Sequence, residues 1–184
     1  MKQKEKHYLV ITAIGADRVG FADELTKEIL SHNGNIEESK MAVLGGEFAS
    51  LVLVSSEDPK AIAGLVDALP SFGKEREISI FLKKTTPPHS REERIAFRLE
   101  TVSLDTPGIV HAVTSILKKY DISIEDLETD TASAPMTGAR IFHMRAIVTI
   151  PKRVSPRKIK EEFEELESIQ SLEITLHPLS VSTE

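Results

Sequence analysis

Between residues 95 and 101 apolar and polar side chains alternate. Ile95, Phe97, Leu99 and Thr101 fall on one side and Ala96, Arg98 and Glu100 on the other, the period of a strand with one buried face. Asp105-Thr106-Pro107-Gly108 breaks that pattern, and the period then lengthens. Ile109, Val113, Ile116 and Leu117 recur along one side of a predicted helix. A strand is predicted to begin near Ile124 and another to cover Phe142 to Ile150, with Ala132 to Gly138 reading as the hairpin loop between them. Ser155-Pro156 has the form of a helix start, serine as N-cap and proline in the first turn. Ile159, Phe163 and Leu166 follow on one face, and Leu172 to Leu176 alternate as a last strand. The same succession occurs earlier. It predicts a strand over 8–14, a helix over 20–32, strands over 36–44 and 47–55, a helix over 59–69 and a strand over 76–83. Asp58-Pro59 starts the second of these helices, ahead of Ile62, Leu65, Val66 and Leu69.

The chain therefore states one plan twice. Asp17-Arg18-Val19-Gly20 is answered 88 residues later by Asp105-Thr106-Pro107-Gly108, and Ile36-Glu37-Glu38 by Ile124-Glu125-Asp126. From Phe48 against Phe142 the offset becomes 94, because the second copy holds six extra residues around Ala132 to Gly138. Internal repetition fixes the domain count before any other reading. The order βαββαβ, twice, predicts an α+β protein of two tandem ferredoxin-like domains, each an antiparallel sheet with both helices on one face. We place the domains at residues 1–84 and 95–184, with residues 85–94, which include Pro87-Pro88, as an extended linker. Cores of this size are marginal, so the domains are expected to bury surface against each other or a neighbour.

The alternation also exposes a difference between the copies. The sheet face away from the helices presents Arg98, Glu100, His143, Arg145, Glu173 and Thr175 in the second copy. The matching positions of the first are Val10, Thr12, Ala49, Leu51, Ser79 and Phe81, with Tyr8 and Leu53 nearby. One face is suited to water; the other is an apolar patch of the kind that marks an interface. Val10, Leu51 and Phe81 are the expected interface residues, and a homo-oligomer the expected assembly.

Composition narrows the function. Forty per cent of the residues are hydrophobic and the net charge is −6, an ordinary globular balance without the basic face that gripping nucleic acid demands. There is no cysteine, which excludes disulfides, thiolate catalysis and cysteine zinc sites. Lys2, Lys4 and Lys6 precede the apolar run Tyr8 to Ala16, but Leu9 and Ile11 correspond to Phe97 and Leu99, so the run reads as a strand rather than a signal peptide. No stretch approaches a membrane span, and a cytoplasmic protein is expected.

The repeated turn is the candidate chemistry. Free amides at a helix start attract a carboxylate, and glycine lets a ligand approach the backbone. The plainer reading makes each aspartate an N-cap and each glycine a turn residue. Asp-x-Pro-Gly opening a helix, followed by Asn33-Gly34-Asn35-Ile36 or Asp121-Ile122-Ser123-Ile124 entering the second strand, resembles the ACT domain, a small regulatory module that binds amino acids. The tandem arrangement is similar to the glycine cleavage system transcriptional repressor family. The Gly15-Ala16-Asp17-Arg18-Val19-Gly20 wording is also similar to the ACT segments of formyltetrahydrofolate deformylases. The resemblance implies a ligand where two ACT domains meet. It would be held by Asp17, Val19, Gly20 and Asn35 in the first copy, and by Asp105, Gly108 and Ser123 in the second. Val19 departs from the usual proline and Ser123 from the usual asparagine, so the first-copy site, with Asn35, is favoured. Glycine or serine is the implied ligand. A transcriptional regulator or a metabolic enzyme is the implied partner, with no direct contact to nucleic acid and no cofactor.

Other features weigh less. His7, His32, His89, His111, His143 and His177 lack metal-ligand spacing, and no phosphate loop or nucleophile motif occurs. The run from Lys152 to Glu167 places basic residues at a helix start and acidic ones at its end, against the macrodipole. Arg157–Glu161 and Lys158–Glu162 pairs would offset this on a solvated face; a bipolar docking surface is the functional reading. An RNA-binding ferredoxin-like protein lacks the aromatics and basic surround it needs on the bare face, and an enzyme lacks catalytic groups. A free-standing allosteric subunit of a metabolic enzyme is the remaining alternative to a regulator of transcription.

Overall fold

In the computed structural model, residues 6–86 and 93–179 are described, and the chain divides into two compact units, Met1–His89 and Ser90–Glu184. The first holds β1 (His7–Ala16), α1 (Phe21–Ser31), β2 (Asn35–Leu44), β3 (Glu47–Ser56), α2 (Pro59–Glu75) and β4 (Ser79–Thr85). The second holds β5 (Arg94–Leu104), α3 (Ile109–Lys119), β6 (Ser123–Ser133), β7 (Arg140–Pro151), α4 (Pro156–Gln170) and β8 (Leu172–Pro178). Each unit forms a four-stranded antiparallel sheet, in the orders β2-β3-β1-β4 and β6-β7-β5-β8. The tandem α+β ferredoxin-like plan is thus the observed one.

Each core forms between one sheet face and two helices. In the first unit Leu9, Ile11 and Val52 of the sheet meet Leu25 and Ile29 of α1 and Leu65 and Leu69 of α2. In the second, Leu99, Met144 and Val148 meet Val113 and Leu117 of α3 and Ile159 and Phe163 of α4. These are the positions that the 3.6- and 2-residue periods picked out. Asp58 caps α2, its carboxylate accepting from the Lys60 amide at 2.9 Å.

Several boundaries differ from the sequence expectation. Helix α2 does not stop before Pro70 but runs to Glu75. Pro70 lies on the exposed side, and Phe72 and Gly73 carry the buried stripe onward, so packing offsets the hydrogen bond that proline removes. In consequence β4 starts at Ser79 rather than 76. Strand β6 continues to Ser133, which shortens the expected loop from its front. Ser155 stands at the N-cap of α4 as expected, yet its side chain makes no capping bond. Arg157 pairs with Glu161 at 3.0 Å, but Glu162 turns away from Lys158 to accept from Lys119 at 2.6 Å and the Tyr120 hydroxyl at 3.0 Å.

Candidate functional site

Both β–α turns are built alike. The Asp17 amide donates to the Gly46 carbonyl at 3.0 Å, and the Asp105 amide to the Arg140 carbonyl at 2.9 Å. Each turn ends in a left-handed glycine, Gly20 at φ 92° and Gly108 at φ 101°, which is the N-cap residue of the following helix. The aspartates are therefore not the caps. Among the described residues no side chain caps either helix, so the first-turn amides, which have no acceptor within the helix, are left without a side-chain acceptor there. Nothing lies within 4 Å of where a β-carbon would stand on either glycine. Val19, beside Gly20, is fully exposed. A glycine-lined helix start of this kind is suited to a carboxylate.

The two turns differ in their charges. In the first unit Arg18 grips Glu24 through two bonds of 2.8 Å, and the Arg76 Nε donates to the same carboxylate at 2.8 Å while stacking on Phe72. The hydrogen bonds from Arg18 and Arg76 hold the Glu24 carboxyl down at about 2. Asp23 lies beside it in the same helical turn. The first turn of α3 carries no acidic residue, and Asp105 is paired with Arg140 at 3.4 Å. The acidic groups of the α1 turn are compensated, Glu24 by Arg18 and Arg76 and Asp23 by Lys27 at 2.6 Å.

Asn35 and Ser123 lie at the other end of their sheets. Asn35 registers with Ser55, next to the pair His7 and Ser56, whereas the turn follows the pair Ala16 and Glu47. The eleven residues of α1 run between the two ends, a length of about 16 Å. Asp17, Val19 and Gly20 therefore do not form one site with Asn35 inside the first unit, and Ser123, registered with Thr149, stands in the same relation to Gly108. The residues expected to hold a ligand in the first copy thus fall into two groups at opposite ends of the unit.

The Asn35 end holds a cluster that sequence reading missed. A bulge follows Ile36, and Glu37 there accepts from Lys6 at 2.8 Å, from the Asn35 side-chain amide at 3.3 Å and from the Ser55 hydroxyl. These donors, Lys6 foremost, hold the Glu37 carboxyl down at about 2. Strand β6 repeats the bulge, with the Thr149 hydroxyl donating to Glu125 at 2.9 Å. The signal was present in the repeated Ile-Glu-acid triplet. The Asn35 amide is turned to Glu37, whose ammonium partner is Lys6, and the Asn35 carbonyl oxygen is the acceptor that could take a ligand's ammonium.

Of the histidines, His7 pairs with Ser56 at the Asn35 end of the sheet. His32 packs on Gly64 of α2 and shares its Nδ1 with the Glu28 carbonyl at 3.1 Å. His89 falls outside the described residues. Among the described residues no group of three acidic or histidine side chains could hold a metal, and no helix is long and apolar enough to cross a membrane.

Comparison with known proteins places this geometry. A family model for the ACT domain matches residues 7–83. The glycine cleavage system transcriptional repressor of Escherichia coli K12 is 30% identical over 166 residues, covering 90% of this chain and 87% of that protein. Its namesake from Shigella flexneri matches equally. The crystal structure of an unknown protein from Galdieria sulphuraria superimposes with a TM-score of 0.80 and 31% identity, over 96% of this chain and all of that one.

Proposed function

The chain belongs to the family of the glycine cleavage system transcriptional repressor, and from that premise we propose that it is a regulatory sensor of a small amino acid. Its ligand has two charged poles, and each unit supplies a half-site for each pole at opposite ends. The uncapped turns at Gly20 and Gly108 take the carboxylate; the β2 and β6 starts, at Asn35 and Ser123, take the ammonium. A molecule as small as glycine or serine cannot span α1, so it is held by the carboxylate half of one ACT domain and the ammonium half of another. Asp17, Val19 and Asp105 shape the turns rather than cap the helices.

The observation that carries this reading is the pair of left-handed glycine caps whose helix amides no side chain satisfies. Signal output is by contact with a protein, a transcriptional regulator of glycine-cleavage genes or a metabolic enzyme; with a net charge of −6 the chain is poorly suited to holding DNA itself.

A panel of amino acids tested by calorimetry and thermal shift decides the matter. A bound ligand at a hundred times its dissociation constant adds roughly 2.7 kcal/mol of stability. Asn35→Ala is expected to remove most of that gain and Ser123→Ala less of it. Indifference to every amino acid, with tight binding of RNA instead, would replace this reading.

A further inference from the structure

We propose that the bare face of the first sheet is a homodimer interface, on which a second copy packs face to face about a two-fold axis parallel to the strands. The inference is independent of the ligand. The register lays the face out in three rows across β4, β1, β3 and β2: Lys83–Val10–Leu53–Glu38, then Phe81–Thr12–Leu51–Lys40, then Ser79–Ile14–Ala49–Ala42. Phe81 is 63% exposed, Leu51 49% and Ile14 41% in the single chain. Side chains of this size gain about 1.5–3 kcal/mol each on full burial, so the face is under pressure to be covered.

The charges at the ends of the rows choose the occupant. A two-fold axis along the strands lays β4 of one copy over β2 of the other without shifting the rows. Lys83 then opposes Glu38 of the partner subunit, Glu38 opposes the partner's Lys83, and Val10 meets the partner's Leu53. Neither Lys83 nor Glu38 has an ion pair among the described residues. Aligned sheets in face-to-face packing are a common arrangement.

The second unit shows what a face unfit for this looks like. Its rows read His177–Arg98–Ile147–Asp126, Thr175–Glu100–Arg145–Glu128 and Glu173–Val102–His143–Asp130. The same two-fold would press Glu173 onto Asp130 and strip water from Arg98 over Ile147. A face four strands wide is only about 14 Å across, so the contact is a small one. The dimer is therefore concentration-dependent.

Sedimentation of the full chain without amino acid, over a wide concentration range, tests this. The wild type dimerises, and Leu51→Arg is monomeric with an unchanged circular dichroism spectrum. Lys83→Glu and Glu38→Lys alone each weaken the dimer roughly tenfold, since each turns two attractive pairs repulsive. The double variant recovers it. A monomeric wild type overturns the proposal, as does a dimer indifferent to Leu51→Arg, or a double variant no better than the singles. A monomer that still answers an amino acid would leave the sensor reading standing. If Leu51→Arg fails to fold, the charge exchange alone decides.

Discussion

Where the first unit carries Leu51 the second carries Arg145, and where the first carries Phe81 the second carries Thr175. Behind those positions, on the helix side, Val52 and Ala146, Leu25 and Val113, Leu65 and Ile159 remain apolar and buried in both. The second face is a field of ion pairs, with Arg145 bonded to Asp130 at 2.9 Å above a shallow hollow of about 250 Å³. Close packing binds the interior to one kind of residue, while a sheet's outer face answers only to what touches it. The two copies differ most in character on that outer face, while the inner face keeps to apolar residues.

The comparison can be broken first inside the core. A β-carbon on Gly34 would stand 2.8 Å from Val54 and 2.9 Å from the Ile29 branch methyl. Yet the second unit places Ile122, buried, at the matching position. It can do so because Leu117 replaces the β-branched Ile29 there. Gly34→Ala should therefore cost about 1–3 kcal/mol, the range for overpacking, while Ile29→Leu added to it should recover part of the loss. Chemical denaturation measures both, and an equal cost with and without Ile29→Leu would refute the explanation.

Next come the caps. Asp58 satisfies the Lys60 amide, whereas Ser155 at the matching start of α4 satisfies none. Asp58→Ala should cost about 1 kcal/mol, and Ser155→Ala should leave the melting temperature nearly unchanged. Comparable losses for both would mean that serine caps α4 in solution.

Acid sharpens the contrast more gently. The Glu24 and Glu37 carboxyls are both held at about 2, well below the ordinary 4.5. A depressed carboxylate contributes stability that is present above the ordinary value and lost as pH falls through the folded one. The first unit should thus weaken between about pH 4.5 and 2, and Arg76→Ala should flatten the part of the slope that belongs to Glu24. The second unit has Ala112 where the first has Glu24. Unit-resolved melting by NMR, with no difference in acid sensitivity, would count against the arginine clamp.

Much of this was legible before any coordinates. Alternation in β5 and β7 sets the buried face of the second sheet, and the repeat carries that reading to the nearly continuous apolar runs of β1 and β3. What escaped notice has definite causes. Proline at 70 reads locally as a stop, and only the burial of Phe72 shows why the helix continues. Arg76 reaches Glu24 across 52 residues of chain, a distance no spacing rule covers. The bulge after Ile36 shifts Glu37 out of the simple alternation and into a cluster with Ser55. The family pattern names the turn at Gly20 and the asparagine at 35 together. The β–α–β order itself sets them at opposite ends of a helix.

The central claim is that one small ligand engages both ends of the ACT scaffold. It is tested most directly by backbone NMR during titration with glycine and with serine. The account predicts that the amides following Gly20 or Gly108 and the side-chain amide of Asn35 shift together, with a single dissociation constant, and that Asn35→Ala abolishes the response at the turns as well. Shifts confined to one end, or a turn response that survives Asn35→Ala, would contradict it.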